Sequence, residues 1–281
     1  MSEKAAEKWT EIEHLPEWDE EFYHVYTAKK HGKWVMLKTL RPELADDPAM
    51  RAMIEKEFDV RYNLCHPNIV MINDFEDVPG LGRCIITDDV YGDSLHKLIE
   101  KKQVTPEILD KIVKQLPEAI AYIQKNHIVH HPIRPETIIF TENIRNLKLI
   151  DVGFEQKPKL STTDAGDDIR NFGRVLLDTL DALPREEAAT RTAARYRRVA
   201  ERAAATPASG GTAVASGSAT SSRRASSRRA AGEARRRFRD VQDLKLALAG
   251  DSNRPIYLTI IIFLSIMTLI LGYLCWKAPE L

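Results

Sequence analysis

Two short apolar runs joined by a polar turn constrain the fold of this chain more than any other feature. Thr137–Phe140 and Leu147–Ile150 are rich in residues that favour β-strands, and the segment between them is polar. Such an arrangement predicts a β-hairpin. Residues able to take part in chemistry flank it on both sides: His130-His131-Pro132 before the first strand and Asp151-Val152-Gly153 after the second.

The whole stretch Ile128–Gly153 resembles the catalytic loop and metal-binding turn of the protein kinases. In that family the pattern reads H-R-D-L-K-P-E-N, then a hairpin, then D-F-G. The resemblance implies that His130 takes a structural position and that Asp151 is a metal ligand. It also implies that Arg134 keeps a positive charge where the family has lysine.

Two functional positions of the family hold different residues in this stretch. Pro132 stands where the family places its catalytic aspartate, and proline has no side-chain acceptor to orient an attacking hydroxyl. Thr137 replaces the asparagine that binds a second metal ion, so it offers only a weaker neutral oxygen. His131 is a candidate base, but no feature of the sequence aims its ring at a hydroxyl.

The first part of the chain predicts a β-hairpin of Phe22–Ala28 and Lys33–Leu40 around a turn at His31-Gly32. Val25–Ala28 matches the V-Y-x-A of the first strands of a kinase N-terminal lobe. The family's glycine-rich phosphate loop should precede it. Here the corresponding segment, Trp18–Tyr23, holds three acids and no glycine, so it should repel phosphate and keep the backbone away from it.

A lysine and a glutamate are the candidate nucleotide-binding pair. Val35–Lys38 resembles V-A-I-K, which implies that Lys38 reaches the phosphates of a nucleotide. Pro48–Leu64 has the periodicity of a helix, and it carries Glu57 shortly before His66–Val70, which resembles the segment after the kinase C-helix. The resemblance makes Glu57 the partner of Lys38, whereas the plain alternative is a solvent-facing acid on a helix.

The next elements resemble the hinge between the two kinase lobes. Val70–Asp77 and Arg83–Asp88 predict a second hairpin, and the chain then runs on through Val90. The resemblance places Thr87 where access behind the nucleotide is controlled. It implies that Asp88 and Val90 would offer backbone groups to an adenine.

The rest of the domain predicts a helical lobe. Thr105-Pro106 begins a long helix, and Asp167–Leu177 resembles the central helix of the kinase C-terminal lobe, in which Asp168 would brace the catalytic-loop backbone. The interval from Gly153 to that helix is too short for an activation loop, an A-P-E motif and a substrate platform. Pro184–Ala205 predicts one basic helix. The nearby histidines, His127, His130 and His131, lack a fourth ligand for zinc.

Composition bears mainly on partners and on a linker. Basic and acidic residues number 41 each, so net charge implies no nucleic-acid partner. The three cysteines have neither metal-ligand nor disulfide spacing, which fits a reducing compartment. Residues 206–236 are predicted to be a low-complexity insertion, arginine-rich and built largely of small residues. Ser226 lies within it as a candidate phosphorylation site, and the alternatives are an unmodified arm or attraction to anionic lipid.

An uncharged run near the C-terminus predicts a membrane anchor. Ile256–Trp276 is long enough to cross a bilayer as a helix, with a buried soluble helix as the alternative. Several arginines precede the run and only Lys277 follows it within the short tail 277–281. The positive-inside rule therefore predicts a single-pass membrane protein whose large N-terminal part is cytoplasmic.

Together these features predict an α+β, bilobal protein-kinase-like fold with a β-rich N-lobe, a helical C-lobe with a shortened activation segment, and one C-terminal transmembrane helix. The predicted boundaries are an acidic segment 1–21, the N-lobe and hinge 22–90, the C-lobe 91–249 and the transmembrane helix 255–276.

The function that this pattern favours is a membrane-anchored pseudokinase, which acts as a binding, scaffold or nucleotide-responsive module. Its use of ATP and Mg²⁺ would be weakened or absent, and its partners would be the bilayer and a protein. One alternative is a divergent Ser/Thr kinase that transfers the γ-phosphate of ATP to protein. The other is a structural membrane-surface protein whose arginine-rich arm binds anionic lipid or acidic partners.

Overall fold

A computed structural model describes residues 8–142, 145–206, 238–250 and 261–269 of the chain. Within these residues, a sheet-rich lobe is followed by a helical lobe. The predicted α+β, two-lobed architecture is confirmed, and the hairpin predicted over Thr137–Ile150 is present within the second lobe.

The N-terminal lobe is built on a five-stranded antiparallel sheet with the strand order β1-β2-β3-β5-β4. The predicted turn between β2 and β3 is confirmed: Lys30 pairs with Lys33, and both turn residues have positive φ, His31 at 50° and Gly32 at 79°. Two positive φ values match the right-handed twist of the flanking strands. The strands are β1 (Trp9–His14), β2 (Tyr23–Lys30), β3 (Lys33–Leu40), β4 (Ile72–Val78) and β5 (Gly82–Asp88).

Strand β1 corrects the predicted separation of residues 1–21 from the N-lobe. Trp9 is buried in the sheet core with Ala28, Val35 and Leu37, although the rest of the strand is exposed. Its pairing with β2 shifts register between Thr10 and Glu13, so the strand lacks a clean alternation of apolar and polar residues. Burial of one large indole is enough to hold this edge strand, and periodicity alone could not reveal it.

One helix, α1 (Pro48–Arg61), packs on the sheet. Asp47 caps it by accepting a hydrogen bond from the Ala49 backbone N–H at 2.8 Å, and Pro48 occupies the first turn. Its buried residues are Ile54, Glu57 and Arg61, so this helix turns two charges inward together with one apolar side chain.

The helical lobe forms around the largest apolar cluster of the described residues. Its central member is α3 (Pro106–Lys125), capped by Thr105 as predicted. The predicted apolar face of α3 is confirmed, since its residues are at most 1% exposed: Ile108, Ile112, Leu116, Ile120 and Ile123. The remaining helices are α2 (Leu95–Glu100), α4 (Thr162–Asp181), α5 (Arg185–Ala188), α6 (Arg191–Ala204) and α7 (Val241–Ala249).

The prediction of one basic helix over Pro184–Ala205 is wrong, because the segment forms α5 and α6. Thr190 separates them, and its hydroxyl caps α6 by accepting from the Ala193 N–H at 3.1 Å. A threonine in extended conformation, with its side chain satisfying a helix N-terminus, starts a new helix more readily than it continues the old one.

Short strands link the two lobes and frame the site. They are β6 (Gly92–Ser94), β7 (Ile128–Val129), β8 (Ile138–Thr141), β9 (Leu147–Leu149) and β10 (Glu155–Gln156). β6, β8 and β9 form one sheet, and β7 pairs with β10. The Val70 N–H donates to the Leu149 carbonyl at 3.0 Å, and the Leu149 N–H donates to the Asn68 carbonyl at 2.9 Å. These bonds fasten the N-lobe to the hairpin that the sequence singles out.

The C-terminal predictions fall mostly outside the described residues. Residues 261–269 form a helix with exposed side chains. Across the described parts of the chain, the structure holds no helix both long and apolar enough to cross a bilayer. Most of the predicted span 255–276, the tail 277–281, Ser226 and nearly all of the insertion 206–236 lie outside the described residues.

Candidate functional site

The two residues predicted to hold a nucleotide are in contact. Strand β3 carries Lys38 and helix α1 carries Glu57, and the Lys38 Nζ lies 3.1 Å from the Glu57 Oε1. Glu57 is 1% exposed, so its carboxylate depends on protein partners for its solvation. Burial alone raises the pKa of Glu57, but the charges of Lys38 and Arg61 outweigh burial and hold the pKa below its ordinary value.

A third member of this cluster, Arg61, was not predicted from the sequence. It lies one turn after Glu57 on α1, and its Nη1 approaches the Glu57 Oε1 at 2.5 Å. Its Nη2 donates to the Ile150 carbonyl at 3.1 Å, immediately before Asp151. The spacing of four residues between Glu57 and Arg61 was the available signal, since such residues are neighbours on a helix face. Arg61 therefore connects α1 to the predicted metal turn.

Glu20 is the second carboxylate partner of Lys38. Its Oε2 lies 2.6 Å from the Lys38 Nζ, and the Tyr23 ring lies beneath the same ammonium at 4.1 Å. Burial lowers the pKa of Lys38, but Glu57 and Glu20 outweigh that effect and raise the pKa above its ordinary value. The ammonium is therefore charged and surrounded by two carboxylates and an aromatic face.

The turn that carries Glu20 is itself ordered by hydrogen bonds. The Glu20 N–H donates to the Tyr23 carbonyl at 3.1 Å, and the Tyr23 N–H donates back at 3.3 Å. Arg41 on the neighbouring loop donates from its Nη2 to the Glu20 carbonyl at 3.0 Å. This turn stands where the family has its glycine-rich loop, and it presents an acid to Lys38.

Trp18 lines the narrow space between Lys38 and the predicted hinge. It ends a short 3₁₀ turn, Pro16–Trp18, and packs on an apolar cluster that includes Val25, Met36 and Val90. The cavity left there, which Thr87 also lines, measures about 60 Å³. Sites that enclose small organic ligands usually measure about 300–1,000 Å³, so this space is too small for an adenine.

The predicted hinge residues are engaged within the protein. The Asp88 N–H donates to the Met71 carbonyl at 3.4 Å, and the Asp88 carbonyl accepts from the Thr87 hydroxyl at 3.2 Å. The side chain of Val90 is buried in the cluster on which Trp18 packs. Val90 thus lines the cavity beside Trp18, whereas Asp88 does not line it and its backbone groups are already bonded.

The predicted metal ligand is paired with a histidine. The His131 Nδ1 lies 2.7 Å from the Asp151 Oδ1. This hydrogen bond raises the pKa of His131, although burial opposes it. Burial raises the pKa of Asp151, but His131, Lys38 and Arg61 together bring it down to about 2. The carboxylate of Asp151 is thus ionised and hydrogen-bonded to a side chain of the loop that carries Pro132.

The other residues predicted from the catalytic-loop motif lie around this pair. The ring of His130 contacts the His131 carbonyl through Nδ1, and burial lowers the pKa of His130 to about 4. The Thr137 hydroxyl donates to the Arg134 carbonyl at 3.0 Å and accepts from the Arg134 N–H at 3.3 Å. Thr137 therefore uses its hydroxyl within its own turn. Pro132 is exposed at the rim of the loop.

Gly153 lets the metal turn lie against the catalytic loop. Its backbone φ is 76°, which residues with a side chain rarely adopt. An added Cβ would lie 2.6 Å from the Val129 carbonyl oxygen. The predicted bracing residue, Asp168, is placed differently from the expectation. Its Oδ2 accepts from the Gln124 Nε2 on α3 at 2.7 Å rather than from the loop backbone. The predicted partner was wrong, because α4 turns this acid towards α3.

A larger cavity of about 550 Å³ remains on the outer side of Trp18, between the turn and the C-lobe. Arg134, Thr137 and Asp151 line it, so several predicted site residues do meet there. Its charged lining is mostly acidic: Glu17, Asp19, Glu20, Glu100, Glu136 and Asp151, against Lys97 and Arg134. A nucleoside triphosphate would be repelled by the surplus of negative charge in this cavity.

Comparisons with known proteins agree with the fold. Residues 21–167, more than half of the chain, match the protein kinase domain family. In solved structures, the kinase domain of Mycobacterium tuberculosis PknI superposes with a TM-score of 0.56 at 18% identity, over 87% of this chain and 96% of that one. A likeness at this identity shows the fold alone.

Curated relatives share part of the sequence. The chain is 29% identical over 168 residues to an Aurora kinase of Schizosaccharomyces pombe, over 59% of this chain and 44% of the relative. It is 27% identical over 159 residues to the serine/threonine-protein kinase pkn2 of Myxococcus xanthus, over 56% of this chain and 19% of the relative. The chain thus spans less than half the length of these relatives. With its two lobes, its Lys38–Glu57 pair and its matched residues, the chain belongs to the protein kinase domain family.

Proposed function

We propose that this chain is a membrane-anchored protein kinase-like module that works by binding a protein partner, with phosphoryl transfer impaired. The observation that carries the proposal is the filling of the cleft by the chain's own residues. Trp18 takes the space beside the hinge, and Glu20 pairs with Lys38 as a second carboxylate. Both come from the segment that replaces the glycine-rich loop.

The requirements of phosphoryl transfer support the same proposal. The reaction needs a positioned nucleotide, Mg²⁺ to neutralise charge and a group that orients the attacking hydroxyl. Lys38 and Asp151 are residues of the right type for the first two tasks, but each is held by another side chain, Glu20 and His131. At the third position Pro132 offers no acceptor. As arranged, these residues do not fit a nucleotide with its metal ion.

A divergent Ser/Thr kinase is the second candidate. One of the curated relatives, pkn2 of Myxococcus xanthus, is named a serine/threonine-protein kinase, and Lys38, Glu57 and Asp151 are all present. On this proposal the segment around Trp18 leaves the cleft when nucleotide binds, and His131 takes the place of the missing aspartate.

Nucleotide binding and phosphate transfer separate the two candidates. The full chain would be titrated with millimolar ATP and Mg²⁺ while its unfolding midpoint is recorded, because a ligand of the folded state raises that midpoint. We expect no rise for the parent and a rise for the double variant W18A/E20Q, which empties the cleft. A rise in the parent, with phosphate transfer that Lys38→Ala abolishes, would establish the kinase instead. Lys33→Ala, an exposed lysine on the same strand, is the matched control.

We propose membrane anchoring by residues 255–276 on separate grounds. The run Ile256–Trp276 lacks charge, and arginines outnumber other charges before it. The full chain and a variant lacking 255–281 would be mixed with anionic and neutral vesicles and extracted with alkaline carbonate. We expect the full chain to resist extraction and the shortened chain to stay in solution. Retention of the shortened chain on anionic vesicles, lost when Thr206–Gly232 is also removed, would favour lipid binding by the arm.

A further inference from the structure

We propose that His14, Asp19 and His24 form a binding site for one divalent ion of the zinc type. No motif marks these residues in the sequence, and they lie outside the Lys38–Asp151 cleft. His14 ends β1, Asp19 follows the 3₁₀ turn and His24 lies near the start of β2. The strand pairing and the turn between them bring all three to one edge of the N-lobe.

The distances suit a single ion. The His14 Nε2 lies 3.0 Å from the Asp19 Oδ1, and the His24 Nδ1 lies 2.7 Å from the Asp19 Oδ2. One ligand atom from each residue falls within 4.8 Å of the other two, and the two imidazole rings stand nearly perpendicular, at 81°. Ligand atoms about 2.0–2.1 Å from a tetrahedral ion are about 3.4 Å apart, so small side-chain shifts would accommodate one.

The type of donor selects the class of ion. Two imidazoles and one carboxylate suit zinc and its neighbours in the first transition series. Mg²⁺ and Ca²⁺ favour oxygen ligands, so they should bind here poorly. Three protein ligands leave a position for water or for a group from a partner. Among the residues that the structure describes, this is the one set of three His, Cys or acidic side chains close enough to hold an ion.

The central carboxylate is held in place by more than the histidines. The Val25 backbone N–H donates to the Asp19 Oδ1 at 3.0 Å, and the Asp19 N–H donates to the Pro16 carbonyl at 3.3 Å. The side chains of Asp19 and His24 are 15% and 21% exposed, whereas that of His14 is 36% exposed. The ligand set is therefore ordered by its second contacts and still open to an ion from solvent.

An ion at this site would also act on the cleft, and this part rests on the proposed function. Trp18 and Glu20 directly flank Asp19, so the residues that close the cleft and a ligand share one short segment. Joining that segment to both strands would restrict its movement away from Lys38, as a cross-link restricts a loop. The geometry thus assigns the ion the role of a clamp on the closed cleft.

Metal content tests the site directly. The full chain would be stripped with a chelator and titrated with ZnCl₂ at millimolar Mg²⁺, with bound zinc measured after equilibrium dialysis. We expect one equivalent for the parent, and an affinity at least about tenfold weaker for His14→Gln and for Asp19→Asn. Since His14 is the most exposed ligand, its variant should fold normally. His31→Gln, an exposed histidine in the next turn, should bind as the parent does.

Two results would overturn the site. One is the absence of zinc binding at about 100 μM, far above the range expected of a protein zinc site. The other is equal affinity in the parent, His14→Gln and Asp19→Asn, which would place the zinc elsewhere and leave the three residues as a hydrogen-bonded cluster.

Hydrogen exchange tests the clamp separately. With zinc bound, the amides of residues 15–25 should exchange several-fold more slowly, and this effect should vanish in His14→Gln. Zinc binding without slower exchange would overturn the clamp. A zinc-loaded chain that still binds ATP with Mg²⁺ would refute the proposed closed cleft, while the measured zinc stoichiometry would still establish the site.

Discussion

Lys38, Glu57 and Arg61 carry a net charge of one positive unit where they meet, and Glu20 neutralises it. In a nucleotide-binding kinase the phosphates would meet that surplus charge. Here the protein supplies the balancing carboxylate itself. This difference lies in side chains alone, because the sheet and α1 have the backbone arrangement of the family.

Because Arg61 belongs to a buried ion cluster with Lys38 and Glu57, we expect its removal to lower the free energy of unfolding strongly. Arg61→Leu would leave the Ile150 carbonyl without its donor and remove one of two cations from a buried carboxylate. Breaking a buried ion pair costs about 3–5 kcal/mol, so we expect a loss near the lower value, because Lys38 still pairs with Glu57. Denaturant titration measures it. Arg51→Leu, on the exposed face of the same helix, should change stability by less than about 0.5 kcal/mol.

The raised pKa of Asp168 predicts that the stability of the protein depends on pH. Burial raises its pKa to about 7, which Gln124 only partly offsets. Because the folded-state pKa lies above the unfolded value, the folded protein holds a proton that the unfolded chain releases. This contribution to stability is fully present below the ordinary pKa of 3.8 and is lost as pH rises through about 7.

Replacing the acid by its amide tests that dependence. Asp168→Asn keeps a polar group beside Gln124 but cannot ionise, so its stability relative to the parent should increase between pH 4 and pH 8. The slope is at most about 1.4 kcal/mol for each pH unit. Urea titrations of both proteins across that range would measure the difference. A difference that does not vary with pH would contradict the prediction.

At the scale of elements, the close packing of α4 on α6 depends on one glycine of α4. A Cβ at Gly173 would lie 2.4 Å from the Ala204 N and 2.8 Å from the Ala200 carbonyl oxygen. The small residues Ala200 and Ala203 of α6 are fully buried against this part of α4. The glycine therefore sets how near α4 and α6 can approach each other.

Gly173→Ala should separate these helices and destabilise the protein by about 1–3 kcal/mol, since overpacking of a filled core costs that much. Gly166→Ala on the same helix is the matched control. There the nearest atom, the Thr206 Cγ2, lies at 3.3 Å, and alanine favours a helix by up to about 1 kcal/mol. The thermal unfolding midpoint should fall for Gly173→Ala and rise for Gly166→Ala. A similar shift in both would mean that helix propensity, not packing, decides the result.

At the scale of the whole molecule, Asn68 links the lobes. It is 6% exposed, and its Nδ2 donates to the Leu147 carbonyl at 2.9 Å and to the Gln115 Oε1 at 3.1 Å. Asn68→Ala would leave a buried carbonyl unpaired, at a cost of about 1–3 kcal/mol. We expect a lower unfolding midpoint and weaker coupling between the lobes, seen as a broader transition. Asn73→Ala, at an exposed site on β4, should leave the transition unchanged.

Local pattern was enough to predict much of the fold. The β2–β3 turn, the Thr105 cap and the apolar face of α3 depend on neighbours within a few residues, so they can be read from sequence. The prediction of a single helix over Pro184–Ala205 was wrong. It gave the helix propensity of the segment more weight than the capping signal of Thr190. The strand at Trp9–His14 was missed, since one buried tryptophan gives no periodicity.

The sequence by itself determined that this chain has a kinase fold. Its resemblance to the family predicted the roles of Lys38, Glu57 and Asp151, and it placed Pro132 where the family has its catalytic aspartate. These are statements about residue type in a local motif. Only the tertiary structure decided what those residues contact: Glu20 on Lys38, His131 on Asp151, and Trp18 beside the hinge. Each contact joins segments that are separated in the sequence. The contacts of Glu20 and Trp18 depend on how the turn before β2 packs, and that of His131 depends on how its loop meets the segment after β9. No local pattern encodes either arrangement.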